Sequence, residues 1–231
     1  MGVEGFDYDS DPDRFRSNVK TVELYGLQGD VHTEVADRVA AESLWPVLDM
    51  GCGEGRLRAA IGEKGLLIAT DLSMTMLHTA PDPKMCSDMT RLPVAEGSFG
   101  SVAALWCLYH LPRPADAIRE AHRVLRSGGL FVTCVPSIHN DPEFAHLFPD
   151  PKPSSFDSEF AADLVSEVFG RIEVDRWDTK AIGLPDVEAA KLYLRGRGMS
   201  DEQAAKAAES VETPVKLTKR GALVWGYKRN Q

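Results

Sequence analysis

The sequence predicts an α/β fold: an open, mostly parallel sheet with helices on both faces. Three observations predict it. The apolar run Val47-Leu48-Asp49-Met50 breaks into a glycine-rich turn, Gly51-Cys52-Gly53-Glu54-Gly55, followed by the amphipathic stretch Arg56-Leu57-Arg58-Ala59-Ala60-Ile61. A second apolar run, Leu66 to Thr70, ends in Asp71, twenty residues after Gly51, and completes a strand, turn, helix and strand with a carboxylate at the far end. Further short apolar runs at 102–106 and 130–135 flank a helical pattern at 116–126, the rhythm of parallel strands joined by crossover helices.

With 231 residues the chain fits one large domain and can bury a sizeable core. No apolar run reaches the length of a membrane span, and the N-terminal residues lack a signal-peptide pattern. A formal charge of −9 argues against a polyanion, so neither nucleic acid nor a membrane is expected as a partner. The four cysteines, at 52, 86, 107 and 134, form no C-x-x-C pair and have no histidines at zinc spacing. They read as reduced thiols, no metal is expected, and the expected location is the cytoplasm.

Residues 1–29 are polar and irregular, with aromatics at Phe6, Tyr8, Phe15 and Tyr25. Asp30 reads as the N-cap of a helix through about Glu42 whose apolar face is Val31, Val35, Ala36 and Val39. Residues 1–45 therefore form an arm and cap helix ahead of a main domain at 46–231.

The glycine turn decides the ligand class. A dinucleotide fingerprint needs G-x-G-x-x-G, and Arg56 stands at its third glycine position. The order here, Asp49-x-Gly51-x-Gly53-x-Gly55, resembles motif I of the class I S-adenosylmethionine (SAM)-dependent methyltransferases. In that family the turn, including Cys52 here, wraps the methionine part of the cofactor, and the acid at its start helps hold the amino group. Glycines so close together let the backbone take positive φ and approach a ligand, and the following helix offers unpaired N–H groups.

The strand ending in Asp71 delivers a carboxylate to a ribose; Asp71 also reads as the N-cap of a helix over 73–79, and the two roles are compatible. Asp71-Leu72-Ser73-x-x-Met76-Leu77 resembles the family's second motif, which implies that Leu72 packs against adenine. Ser87-Asp88-Met89-x-x-Leu92-Pro93 resembles the third, which implies that Asp88 accepts from the adenine amino group and Met89 contacts the ring. Arg123-Val124-Leu125-Arg126-Ser127-Gly128-Gly129 resembles the family's V-L-[RK]-P-G-G, with serine for proline. The two glycines read as the end of the helix at 116–126.

The resemblance covers about 46–135 strongly. It implies a Rossmann-like seven-stranded sheet in the order 3-2-1-4-5-7-6, and an N-terminal segment whose tyrosine, Tyr8 here, closes the cofactor site. It also implies SAM as cofactor, S-adenosylhomocysteine as product, and Leu105 among the cofactor-binding residues. Residues 136–155 hold five prolines and read as a loop at the mouth of the site. A helix at 158–169 and strands at 172–177 and 222–227 follow. The connection between those strands carries a helical insertion at about 178–214, with a capping box Ser200-x-x-Gln203. That insertion is placed to act as a substrate lid.

The function expected is methyl transfer from SAM to the O- or N-nucleophile of a small molecule, by in-line displacement. Trp106 and Tyr109 follow the fourth strand and are candidate acceptor-pocket residues. His110, His139 and Tyr109 are the candidate catalytic groups, since a histidine titrates near neutral pH. A [DN]-P-P-[YF] motif is missing after that strand, which disfavours base-modifying enzymes. Two alternatives stay open: a nicotinamide or flavin oxidoreductase on the same sheet, and a non-catalytic SAM-binding protein. Acceptor identity and oligomeric state are not specified by the sequence.

Overall fold

The structure is a computed structural model, and residues 11–148 and 154–229 are described. Seven strands form one sheet in the order β3-β2-β1-β4-β5-β7-β6. They are β1 (Val47–Met50), β2 (Leu67–Asp71), β3 (Lys84–Cys86), β4 (Phe99–Leu105), β5 (Leu125–Pro136), β6 (Ile172–Leu184) and β7 (Val215–Tyr227). The first five pair in parallel and β7 runs antiparallel between β5 and β6. Strands β1 and β4 are buried along their whole length, which is why they read as unbroken apolar runs.

Each face is covered. Helices α2 (Val31–Ala41) and α3 (Arg56–Ile61) pack Val35, Val39, Leu57 and Ile61 onto Val47, Leu67 and Val132. Helices α5 (Pro114–Val124) and α6 (Ala161–Phe169) pack Ile118, Val124, Val165 and Phe169 onto Leu48, Val102 and Phe131. Between them, α4 (Met74–Thr79) follows β2.

Several boundaries differ from the sequence reading. Residues 12–25, read as irregular, form helix α1 (Pro12–Tyr25). Asp11 caps it by accepting from the Arg14 N–H at 3.3 Å, and Pro12 opens it, because a missing N–H costs nothing in a first turn. Ser73, not Asp71, is the N-cap of α4, accepting from the Met76 N–H. Helix α3 ends at Ile61, with Gly62 as its C-cap. Gly128 and Gly129 do not cap α5, which ends at Val124; they lie inside β5.

Strand β6 runs on to Leu184 and β7 begins at Val215, so the helical insertion between them spans 185–214 rather than about 178–214. It holds α7 (Val187–Gly196) and α8 (Asp201–Ala208), and the capping box at Ser200 and Gln203 forms. The extended β6–β7 hairpin, α7, α8 and a 3-10 turn over Pro142–Leu147 enclose a separate apolar core of Phe144, Leu184, Tyr193, Leu194, Ala204 and Leu217. This cap stands above the carboxyl end of β5, because Gly221 is the last β7 residue to pair with it, opposite Pro136.

Candidate active site

The turn after β1 is built from left-handed backbone. Gly51, Gly53 and Gly55 have φ of 71°, 55° and 89°. Thr70 O, at the end of β2, accepts from the Gly51 and Cys52 N–H groups at 2.8 and 3.0 Å, which pins the turn to its neighbouring strand. A Cβ on Gly51 would come within 2.7 Å of Cys107 Cβ and 3.0 Å of Met89 Cε, so only glycine fits between them.

Asp71 ends β2 beside this turn. Its Oδ2 accepts from the Gly53 N–H and its Oδ1 from the Ser73 N–H, each at 2.9 Å. Each carboxylate oxygen keeps a further lone pair. Asp49 lies within reach of the Asp71 charge and is buried. Burial, and next the Asp71 charge, push the Asp49 carboxyl up to about 7. Burial likewise raises the Cys52 thiol, keeping it protonated and inert.

Next to Asp71 the Leu72 side chain is 68% exposed, an apolar platform at the sheet edge. Asp88 follows β3 and its Oδ1 accepts from the Thr90 N–H and hydroxyl, both at 2.8 Å, in a local turn. Met89 reaches back to the glycine turn. Leu105 is buried at the end of β4.

These features suit SAM. Two neighbouring carboxylates, one of them raised to about 7 by burial and next by the other's charge, favour a ligand that brings positive charge, as its ammonium and sulfonium do. The glycine cradle admits a chain no thicker than backbone, and Leu72 and Met89 offer apolar contacts to a base.

Beyond β4 the chain turns sharply at Trp106, φ 59°. Trp106 meets Trp177 of β6 edge to face, ring centroids 6.1 Å apart. A 3-10 turn, Leu108–His110, follows, with the Tyr109 and His110 rings 4.6 Å apart. Burial, and then the Arg14 charge, lower the His110 imidazole to about 4, so it is neutral at pH 7. His139 is exposed beyond β5, and its carbonyl accepts from Arg220 at 3.2 Å. Its neighbours are occupied too: Asn140 Oδ1 accepts from the Arg220 N–H, and Asp141 pairs with Lys219. Tyr8 lies outside the described residues.

Sequence reasoning missed what covers the turn. The Phe15 ring of α1 lies 3.2 Å from where a Gly53 Cβ would stand, and Arg16 pairs with Glu54 at 3.2 Å. Farther along, a Cβ on Gly196 would meet the Asn18 backbone at 2.8 Å, so α7 presses directly onto α1. Asp11 pairs with Arg195 at 2.7 Å, and Leu27 donates to Ala181 O at 2.9 Å. Asp11-Pro12 was a legible helix start; the contacts it leads to were not.

The strand order and the glycine turn after β1 are those of an α/β domain of the Rossmann-like methyltransferase type. Residues 48–133 match the family described as a methyltransferase domain. The chain carries a class I SAM-dependent methyltransferase domain. It is similar to a malonyl-acyl carrier protein O-methyltransferase of Dechloromonas aromatica, 34% identical over 113 residues, 45% of this chain and 41% of that protein. It is also similar to ribosomal RNA-processing protein 8 of Caenorhabditis briggsae, 38% identical over 85 residues, 36% of this chain and 24% of that protein. The chain spans less than half the length of these relatives. Among solved structures, the cyclase SpnF shares the fold with a TM-score of 0.63 at 19% identity, covering 97% of this chain and 95% of that one. Among the described residues no helix is long and apolar enough to cross a membrane.

Proposed function

We propose that this protein transfers the methyl group of SAM to an O- or N-nucleophile of a small molecule, releasing S-adenosylhomocysteine. The carrying observation is the seat formed by the left-handed glycine turn between Asp49 and Asp71. SAM supplies an electrophilic methyl on a sulfonium. Asp71 accepts from the ribose hydroxyls, Asp49 faces the amino group, and Gly51, Cys52, Gly53 and Gly55 leave room for the methionine chain. Leu72, Asp88, Met89 and Leu105 border the adenosine, and Tyr8 belongs to the segment that closes the site.

A small acceptor is favoured by the cover of α1 and α7 over the carboxyl end of the sheet and by the charge of −9. Nucleic acid is the disfavoured partner on the same grounds. The α1 segment and the 185–214 connection act as a lid. Four free cysteines agree with a cytoplasmic place.

Trp106 and Tyr109 border the acceptor. His110, with its proton affinity lowered to about 4, is a hydrogen-bond acceptor rather than a strong base at neutral pH. Alignment and exclusion of water then carry most of the rate, with His139 the other base for a hydroxyl acceptor. One observation favours a second reading, SAM binding without methyl transfer: a cyclase shares this fold, so the fold alone does not assign the reaction.

Calorimetry with S-adenosylhomocysteine, followed by SAM consumption over an acceptor panel, tests the reading. Binding at one site per chain with acceptor-dependent turnover is expected. No binding would remove the cofactor assignment, and binding without turnover of any acceptor would favour the second reading. Once an acceptor is known, His110→Ala and His139→Ala separate base catalysis from alignment. A kcat loss under about tenfold in both leaves alignment as the account, since a general base contributes about 10²–10⁴.

A further inference from the structure

One surface recess is used by neither the cofactor seat nor the cap. It has a volume of about 470 Å³ and lies between the turn after β3 and the outer face of α5. Arg91 lines one side; Arg113, Asp116, Arg119, Glu120 and Arg123 line the other. The α5 residues recur at steps of three and four, which places them along one stripe of the helix. Four guanidiniums against two carboxylates leave the recess two positive charges, on a chain whose formal charge is −9.

The two acids are already committed. Asp116 sits between two arginines, its Oδ2 3.0 Å from Arg113 Nε and its Oδ1 2.8 Å from Arg119 Nη1. Glu120 Oε1 accepts from the Leu92 N–H and from Arg123 Nη2, each at 2.7 Å. Arg123 is committed as well, because its Nη1 donates to Val94 O at 2.9 Å and ties α5 to the loop before β4. The arginines on the rim are not. Arg113 and Arg119 keep 82% and 62% of their side-chain surface exposed. Arg91 is exposed, and its side chain has neither ion pair nor hydrogen bond among the described residues. A guanidinium carries five N–H donors, so three of them around one recess hold far more donors than Asp116 can accept.

That surplus selects an anionic partner, since planar guanidinium forks match carboxylates and phosphates two bonds at a time. A lone phosphate would leave most of the recess empty and would meet water-exposed cations screened by salt. A nucleic acid duplex carries about one charge per 1.7 Å along its whole length. It would have to run on over the acidic remainder of the chain. An acidic patch on a folded protein has neither fault. The stripe from Arg113 to Arg123 is about 15 Å long at about 1.5 Å per residue, close to three turns of a partner helix. Charge pairs of this kind also steer the encounter.

We propose that this recess docks an acidic protein, whose carboxylates pair with Arg91, Arg113 and Arg119. Arg113 is the N-cap of α5 and follows the turn Leu108–His110, so the recess opens at the carboxyl edge of the sheet. Nothing in this docking depends on which reaction the cofactor site runs.

The test is fluorescence anisotropy on the full chain with a labelled helical peptide of about sixteen residues that carries glutamate on one face. The same peptide with glutamine is the reference. The glutamate peptide should saturate below about 1 mM at low salt and bind tenfold or more tightly than the glutamine form. Raising the salt to about 0.3 M should weaken it severalfold. Arg91→Glu combined with Arg119→Glu should lose the preference tenfold or more, whereas Lys206→Glu on α8 should keep it. If the double charge reversal does not fold, Arg91→Gln with Arg119→Gln reads the same loss. Equal binding of the two peptides, an unchanged preference in the arginine variants, or no saturation by about 1 mM would each overturn the proposal. So would tripolyphosphate or a short RNA binding at these arginines more tightly than the glutamate peptide. Sedimentation supplies the last arm: self-association abolished by Arg119→Glu would name a second copy of this chain as the occupant instead.

Discussion

The two halves of the proposed site are built in opposite ways. The cofactor half lies between Asp49 and Met89, within one continuous stretch that folds onto neighbouring strands β1, β2 and β3. Its contacts are short-range in sequence: Gly53 with Asp71, Gly51 with Thr70, Asp88 with Thr90. The proposed acceptor half draws on α1, the ends of β4 and β5, and β6, so Arg14 acts on His110 and Trp106 meets Trp177 only after the chain has folded. The cofactor half has no apolar core of its own, whereas the cap is a small packed unit around Tyr193 and Leu194.

The largest expected effect lies in the local half. Gly51→Val puts a branched side chain at φ 71° with Cys107 Cβ 2.7 Å from its Cβ. A left-handed residue costs about 1–2 kcal/mol, and overpacking roughly 1–3 more. S-adenosylhomocysteine affinity should fall more than about a hundredfold, with a lowered Tm in thermal unfolding. A variant binding normally would mean that the turn is not the cofactor seat.

Asp71→Ala comes next. It removes the partner of the Gly53 and Ser73 N–H groups as well as the proposed ribose acceptor. Each charge-assisted bond contributes about 1.5–3 kcal/mol, so a loss of about ten- to a hundredfold is expected by calorimetry. Unchanged affinity in a folded variant removes the ribose role from Asp71.

Asp49 should show itself through pH. Its carboxyl sits at about 7 against an ordinary 3.8, so the folded protein holds a proton that the unfolded chain releases. Its contribution is fully present below pH 3.8 and is lost as pH rises toward 7, a slope of about −1.4 kcal/mol per pH unit within that window. Asp49→Asn should therefore be more stable than the parent above pH 7 in urea unfolding, with no gain below pH 4. SAM affinity should rise about tenfold between roughly pH 6 and 8 in the parent and stay flat in Asp49→Asn. A flat parent profile would place the amino group elsewhere.

The smallest effect belongs to the clasp between the halves. Arg195→Ala breaks the Asp11 pair, which is partly exposed and worth at most about 1 kcal/mol. Hydrogen exchange in α1 should quicken and cofactor dissociation speed up about threefold to fivefold. No change in either would make α1 a fixed wall rather than a lid.

Much of the cofactor half was legible. Buried parallel strands and a turn needing left-handed glycines leave signatures within a few residues, and Asp71 stands at a set distance from Gly51. The strand order also matches the one the family resemblance implied. The misreadings were of tertiary origin. Strand β6 was cut short at Trp177 because Asp178 to Lys180 look like a polar loop, yet they pair with Arg220 to Thr218 across the hairpin. The glycines at 128 and 129 read as a helix end because nothing local shows that Leu125 already pairs with Phe99 of β4.

By itself the sequence determined the sheet, its glycine turn and the two acids beside it, because backbone conformation and burial pattern are local properties. It also pointed to a helical insertion before the last strand, with the capping box at Ser200 that opens α8. Only the tertiary structure decided that Phe15 lies on Gly53, that Arg14 quiets His110, and that Lys219 turns its ammonium to Asp141. Those contacts join segments from 38 to nearly a hundred residues apart in the chain. Charge and burial act through space, and no spacing along the chain records them.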